Sequence, residues 1–219
     1  MRAESIRGST RPSRQGANSL LEWSIRCTYG PGALARRDGA LTAHEQFLVA
    51  HRNQIRFAGP MFADNGEART GTWFLIDAPD RTSAETFIAG EGFNRAGMFG
   101  EIEIKRFIDT SPEERRQVDI AADRALQMFI CECIEGPIAT ETRKPAGKAR
   151  GGHPKMPGGI VVRGASVSDD GSAALGTIAI VEVENRAVAD ALVAADPFLR
   201  AGAHRRVRID RWRFGKSVV

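Results

Sequence analysis

Apolar and polar residues alternate along Trp23-Ser-Ile-Arg-Cys-Thr-Tyr29, the period of a half-buried strand, which Gly30-Pro31-Gly32 then breaks. Leu34, Leu41, Phe47, Leu48 and His51 fall at near-helical spacing, and the clearest helix start is Thr42, an N-cap with Glu45 three residues on. Ile55 to Phe62 predicts a second strand, Asp64-Asn65-Gly66 a tight turn, and Gly71 to Ala78 a buried third strand. Thr82 or Ser83 caps a second helix that Gly90-Glu91-Gly92 ends, and Glu101 to Ile108 alternates as a last strand. The order β-α-β-β-α-β predicts a ferredoxin-like α+β sandwich, one antiparallel sheet with two helices on one face.

The pattern then returns. Without a gap, Phe57–Asp109 aligns with Val162–Phe214 at an offset of 105, and 15 of the 53 pairs are identical. Phe93-Asn-Arg-Ala-Gly97 comes back as Phe198-Leu-Arg-Ala-Gly202, and Gly59, Asp64, Gly66 and Arg106 recur as Gly164, Asp169, Gly171 and Arg211. A period this long marks a duplicated domain and not a solenoid unit. The predicted organisation is an N-terminal extension 1–20 that lacks apolar periodicity and is expected to be disordered, a domain 21–109, a linker helix 110–125 and a second domain 126–219. Ser111 and Pro112 start the linker helix. The two domains are expected to pack as a pseudo-dimer. The second copy degenerates where its first helix should be: Thr142 to Gly159 is Lys, Arg, Gly and Pro.

Composition changes this picture little. The 219 residues carry a net charge of +4, which gives no argument for nucleic acid, and no apolar run is long enough to span a bilayer. Three cysteines provide no disulfide framework and suit a reducing, cytoplasmic setting. Cys131 and Cys133 share one strand face and, with His153, are short of a zinc ligand set; a core position is the expectation. Arg143-Lys144, Lys148, Arg150 and Lys155 have no interleaved aromatic and read as a solvated loop.

One charge pattern bears on assembly. Glu101 and Glu103 on the last strand of the first half align with Arg206 and Arg208 in the second. Equivalent positions near a two-fold axis carry like charges in a homodimer, so their reversal predicts cross-half pairing.

Ala43-His44 at a helix, Arg56-Phe57-Ala58-Gly59-Pro60, and Ala194-Ala195-Asp196-Pro197-Phe198-Leu-Arg-Ala-Gly202 with a strand ending Arg211-Trp212 together resemble the YCII-related family. The resemblance covers 22–109 and 127–214. It implies the ferredoxin-like unit in a dimeric α+β barrel, and a His–Asp pair in a cleft. Carried over, the histidine falls on His44 and the aspartate on Asp196, but neither half has both: Glu91-Gly92 stands where the first half would have Asp-Pro.

The expected chemistry is general acid–base catalysis without a cofactor or metal, on a small organic, anionic molecule, of the isomerase, lyase or hydrolase kind. His44 would be the base, Glu91 its orienter, and Asp196 would join across the pseudo-dimer. Arg95 and Arg200 of the repeated Arg-Ala-Gly are candidate anion clamps, with structural ion pairs as the plainer reading. The rival is a non-catalytic ligand-binding or interaction module. An oxygenase-like member with haem or flavin is a third reading. Neither nucleic acid nor membrane is expected as a partner, and the assembly would be a monomeric pseudo-dimer or a homodimer of it.

Overall fold

Alternation along the strands sorts side chains onto two faces of a sheet that closes on itself. The structure is a computed structural model that describes residues 20–110, 126–135, 159–196 and 204–215. Its elements are β1 (Leu21–Tyr29), α1 (Ala33–Ala50), β2 (Ile55–Phe62), β3 (Arg69–Ala78), α2 (Arg81–Gly90), α3 (Gly92–Arg95), β4 (Phe99–Asp109), β5 (Gln127–Glu135), β6 (Gly159–Val167), β7 (Ala174–Val183), α4 (Arg186–Ala194) and β8 (His204–Trp212). The strand order is β1-β3-β2-β8-β5-β7-β6-β4, a closed antiparallel barrel. Each half contributes the ferredoxin-like order, β4-β1-β3-β2 and β8-β5-β7-β6. The halves join where Met61 and Phe62 pair Trp212 and Arg211, and where Arg106–Asp109 pair Gly164–Val167. Closure leaves no free sheet edge among the described strands to recruit another chain. The linker helix, the basic stretch and the degenerate first helix of the second half fall outside the described residues.

The outward face of β1 (Trp23, Ile25, Cys27) packs under Leu48 of α1 and Ala84, Phe87 and Ile88 of α2. The matching face of β5 (Phe129, Cys131, Cys133) packs under Ala189, Leu192 and Val193 of α4. The inward faces make one core shared by both halves, with Phe57, Trp73, Leu75 and Phe107 against Ile130, Val162, Ile180 and Trp212. Cys131 and Cys133 are buried core residues whose thiols burial pushes up, that of Cys133 to about 11. Among the described residues no three His, Cys, Asp or Glu side chains gather as metal ligands.

The helix starts differ from expectation. α1 begins at Ala33, after Gly32 at φ 70°, and not at Thr42. Its buried residues Ala33, Ala40 and Leu48 are few and mostly small, while Leu34 and Val49 are exposed, so the apolar periodicity is faint. Its first turns carry no strong cap, and the Thr42/Glu45 signature lies inside an established helix. α2 is capped by Asp80, which accepts from the Ser83 N–H at 2.8 Å.

Identical repeat residues explain the off-axis contacts between halves. Arg81 pairs with Asp169 at 3.0 Å, and its repeat partner Arg186 pairs with Asp64. In an isologous interface each contact occurs twice, so both copies can keep the same residues. On the axis the charges are reversed instead. Arg26 aligns with Glu132 at an offset of 106, Glu103 with Arg208 and Lys105 with Asp210, and each pair has opposite sign. Arg26 binds Glu132 at 3.0 Å and also Asp210. Glu103 binds Arg208, and Lys105 at 3.1 Å. Glu101 and Arg206 are exposed and form no ion pair among the described residues, so the predicted reversal pairs at only one of its two positions.

Burial alone would raise the Glu103 carboxyl; hydrogen bonds from Arg208 and Lys105 outweigh it and hold the carboxyl below its ordinary value. A depressed carboxylate contributes stability that is present above its unfolded pKa and lost as pH falls through the folded one. The stability gap between wild type and Glu103→Gln should therefore be widest near neutrality and shrink below about pH 4.3, the unperturbed glutamate value. Urea melts from about pH 3 to about pH 7 measure it; a gap independent of pH would mean that the carboxylate is not the stabilising form.

Candidate active site

His44 sits well inside α1, near the crossing with α2 and α3, and not in a first helical turn. The chain leaves α2 at Gly90, turns at Glu91 and makes the single turn α3. A Cβ on Gly92 would overlap the α1 backbone at Ala43 and His44, so only glycine allows this approach. Glu91 is fully buried, at 0% exposure. Its Oε2 accepts the backbone N–H groups of Phe93 at 2.9 Å and Asn94 at 3.0 Å, capping α3. Its Oε1 contacts Nδ1 of His44. A carboxylate only accepts, so Nδ1 carries the proton and Nε2 is the free nitrogen. The imidazole stacks on Phe93, with ring centroids 3.9 Å apart and planes 10° apart. Nε2 has no hydrogen-bond partner among the described residues.

The ring borders a cavity of about 260 Å³ between α1 and the sheet. Tyr29, Leu41, Phe62, Arg69 and Thr72 line it from the first half, and Arg213, Phe214 and Gly215 close it from the second. The closing segment is held by Gly215 N–H to Ala58 O at 2.8 Å and Arg213 N–H to Pro60 O at 3.2 Å. Gly59 has no room for a side chain, because a Cβ there would run into the Arg213 carbonyl. Burial pushes the Tyr29 phenol up, and its hydrogen bond to Thr72 only partly offsets this. The arrangement combines an oriented imidazole, a sheltered apolar wall and several cations.

The structure thus brings His44 and Glu91 together and leaves Asp196 and Arg95 outside their cavity. Asp196 follows α4 and lines a second, smaller cavity of about 50 Å³ with Cys131, Cys133 and Thr177. It does not reach the His44 cavity, because each half keeps its helices over its own stretch of the barrel. Arg95 ends α3, is exposed and does not line the cavity, so it is no clamp for a ligand there. Arg200 lies outside the described residues. Among the described residues the cations at the cavity are Arg37, Arg69 and Arg213, which sequence reading passed over. Arg69 and Arg213 carried one signal: they stand at repeat positions where the other half has Ala174 and Ile108.

Solved structures share the architecture. An anthrone oxidase-like protein is 12% identical, with a TM-score of 0.52 over 91% of this chain and 92% of that one. A heme-binding protein from Thermus thermophilus is 11% identical, with a TM-score of 0.52 over 89% and 91%. Chlorite dismutase from Candidatus Nitrospira defluvii is 10% identical, with a TM-score of 0.51 over 90% and 92%. At these identities the likeness shows the fold, that of the dimeric α+β barrel proteins. No curated protein sequence matches the chain. Among the described residues no helix is long and apolar enough to cross a membrane. The YCII-related domain matches twice, at residues 21–108 and 139–213, and the chain belongs to that family as a tandem duplication of its domain.

Proposed function

We propose that the protein is a cofactor-independent enzyme that moves a proton on a small organic molecule, with His44 as general base and acid and Glu91 as its orienter. The observation that carries this is the Glu91–His44 contact, whose carboxylate is locked by two backbone N–H groups while the imidazole borders a cavity. A neutral imidazole held in one tautomer can take a proton from an acidified C–H or O–H and return it to a neighbouring atom. That chemistry serves an isomerase or a lyase directly, and a hydrolase if water is the proton donor. Domain 21–109 holds the chemistry. Domain 126–219 supplies the closing segment.

A panel of small lactones, dicarboxylates and phenolic acids tests the reading, first by thermal shift and then by deuterium uptake from solvent into each ligand that binds. Wild type should incorporate deuterium or turn the ligand over, and His44→Ala should do so about 10²–10⁴-fold more slowly. Equal rates in the two proteins would sink the assignment. Binding by both without exchange or turnover would favour a non-catalytic ligand-binding module.

A further inference from the structure

The geometry points to a carboxylate-binding subsite made by Arg37, Arg69 and Arg213 in the His44 cavity, so that the ligand is a small organic acid. This rests on the proposed function in naming the substrate class of the same cavity. The three guanidinium groups come from α1, β3 and the segment after β8 and line one pocket. Among the described residues, neither Arg69 nor Arg213 has a carboxylate partner. Both lie against the Phe62 ring, at 5.2 Å and 4.6 Å, and Arg213 also donates weakly to the Gly66 carbonyl at 3.4 Å. Arg37 pairs with the exposed Asp38, at 3.6 Å, and its Nε is buried without a partner among the described residues. The carboxylates nearby do not fill this role: Glu45 lines the cavity from an exposed position, and Glu91 is committed to His44 and α3.

Three cations share the pocket, and among the described residues only Arg37 has a carboxylate partner, the exposed Asp38, so they repel one another. Burial, Arg37 and Arg213 together hold the Arg69 guanidinium below its ordinary value. An anion in the pocket would relieve that repulsion and complete the donors in forked, charge-assisted bonds. The second half argues the same way. Thr177 stands there where the first half has Thr72, but the position of Arg69 is taken by Ala174, and Arg213, which reaches the His44 cavity from the second half, has Ile108 as its counterpart in the first, so neither cation is repeated at the second site. The cavity is slightly smaller than the roughly 300 Å³ of the smallest usual ligand pockets, which suits a compact acid. With its carboxylate on the arginines, such an acid presents its carbon skeleton to Nε2 of His44.

Isothermal titration of the full chain with benzoate, its neutral counterpart benzamide, and inorganic phosphate tests this without any turnover. Benzoate should bind at least about tenfold more tightly than benzamide, and Arg69→Met or Arg213→Met should each remove that preference. Arg95→Met, outside the cavity, should leave it intact. Arg213 is exposed and follows the last strand, so its variant should fold even if another does not; thermal melts check this. His44→Ala should keep benzoate affinity, so the subsite can stand where the acid–base reading fails. Equal binding of benzoate and benzamide, no benzoate binding at about 10 mM, or unaltered binding by Arg69→Met and Arg213→Met would overturn the subsite. Tighter binding of phosphate than of benzoate would overturn the carboxylate assignment.

Discussion

Arg26→Met should cost the fold about 3–5 kcal/mol, the usual loss when one partner of a buried ion pair is removed. Arg26 is 8% exposed inside the barrel, and it is the cation for both Glu132, itself 2% exposed, and Asp210. Methionine fills similar space but leaves Glu132, among the described residues, with only Arg208, 3.8 Å away. The stranded carboxylate keeps its desolvation cost and loses its main compensation. The double variant Arg26→Met/Glu132→Leu should recover part of the loss, because apolar replacement of a whole buried pair is often close to neutral. Urea denaturation of the three proteins measures both effects. A single-variant loss below about 1 kcal/mol, the range of exposed pairs, would show the barrel interior to be solvated.

The second large effect falls on rate and separates two duties of one carboxylate. Glu91→Gln keeps an oxygen for the Phe93 and Asn94 N–H groups but turns an N–H₂ toward His44. Nδ1 must then accept, the proton moves to Nε2, and the base is lost to the cavity. Turnover should fall about 10²–10⁴-fold, as when a general base is removed, with little change in stability. Glu91→Ala should lose the rate similarly and a further ~1–3 kcal/mol of stability, because two buried donors lose their acceptor. Stopped-assay rates beside thermal melts distinguish the cases. A Glu91→Gln protein with full activity would leave the carboxylate as a helix cap alone.

The barrel could be read from the chain because strands with one apolar face keep a period of two, and because duplication wrote the pattern twice. The ends of β2 were legible to the residue, Ile55 to Phe62. The start of α1 was not, since a helix whose buried side is largely alanine carries no apolar stripe. The turn α3 was missed because four residues are too few to show any period. His44 and Glu91 were legible as a pair, by resemblance and by the facing of two helices. Arg213 was not: its part in the cavity depends on a segment of one half crossing onto the other, and nothing local in Trp212-Arg213-Phe214 encodes that contact. Arg95 drew attention through its repeated motif, but it is an exposed residue at the end of α3.

The reversed charges inside the barrel make the joining of the halves a one-way step. A protein built from two copies of one chain cannot acquire such an interior, because every substitution enters both copies at once and meets itself on the axis. Only after linkage could Arg26 and Glu132, Glu103 and Arg208, and Lys105 and Asp210 diverge. Severed between Asp109 and Gln127, neither fragment retains a workable twin: beside its own copy it would set arginine on arginine, or glutamate on glutamate, at positions where Arg26 and Glu132 are buried. Each fits only its sister. The chain has thereby exchanged the economy of self-assembly for a permanent division of labour, in which one half can keep a site and the other can be shaped solely to cover it.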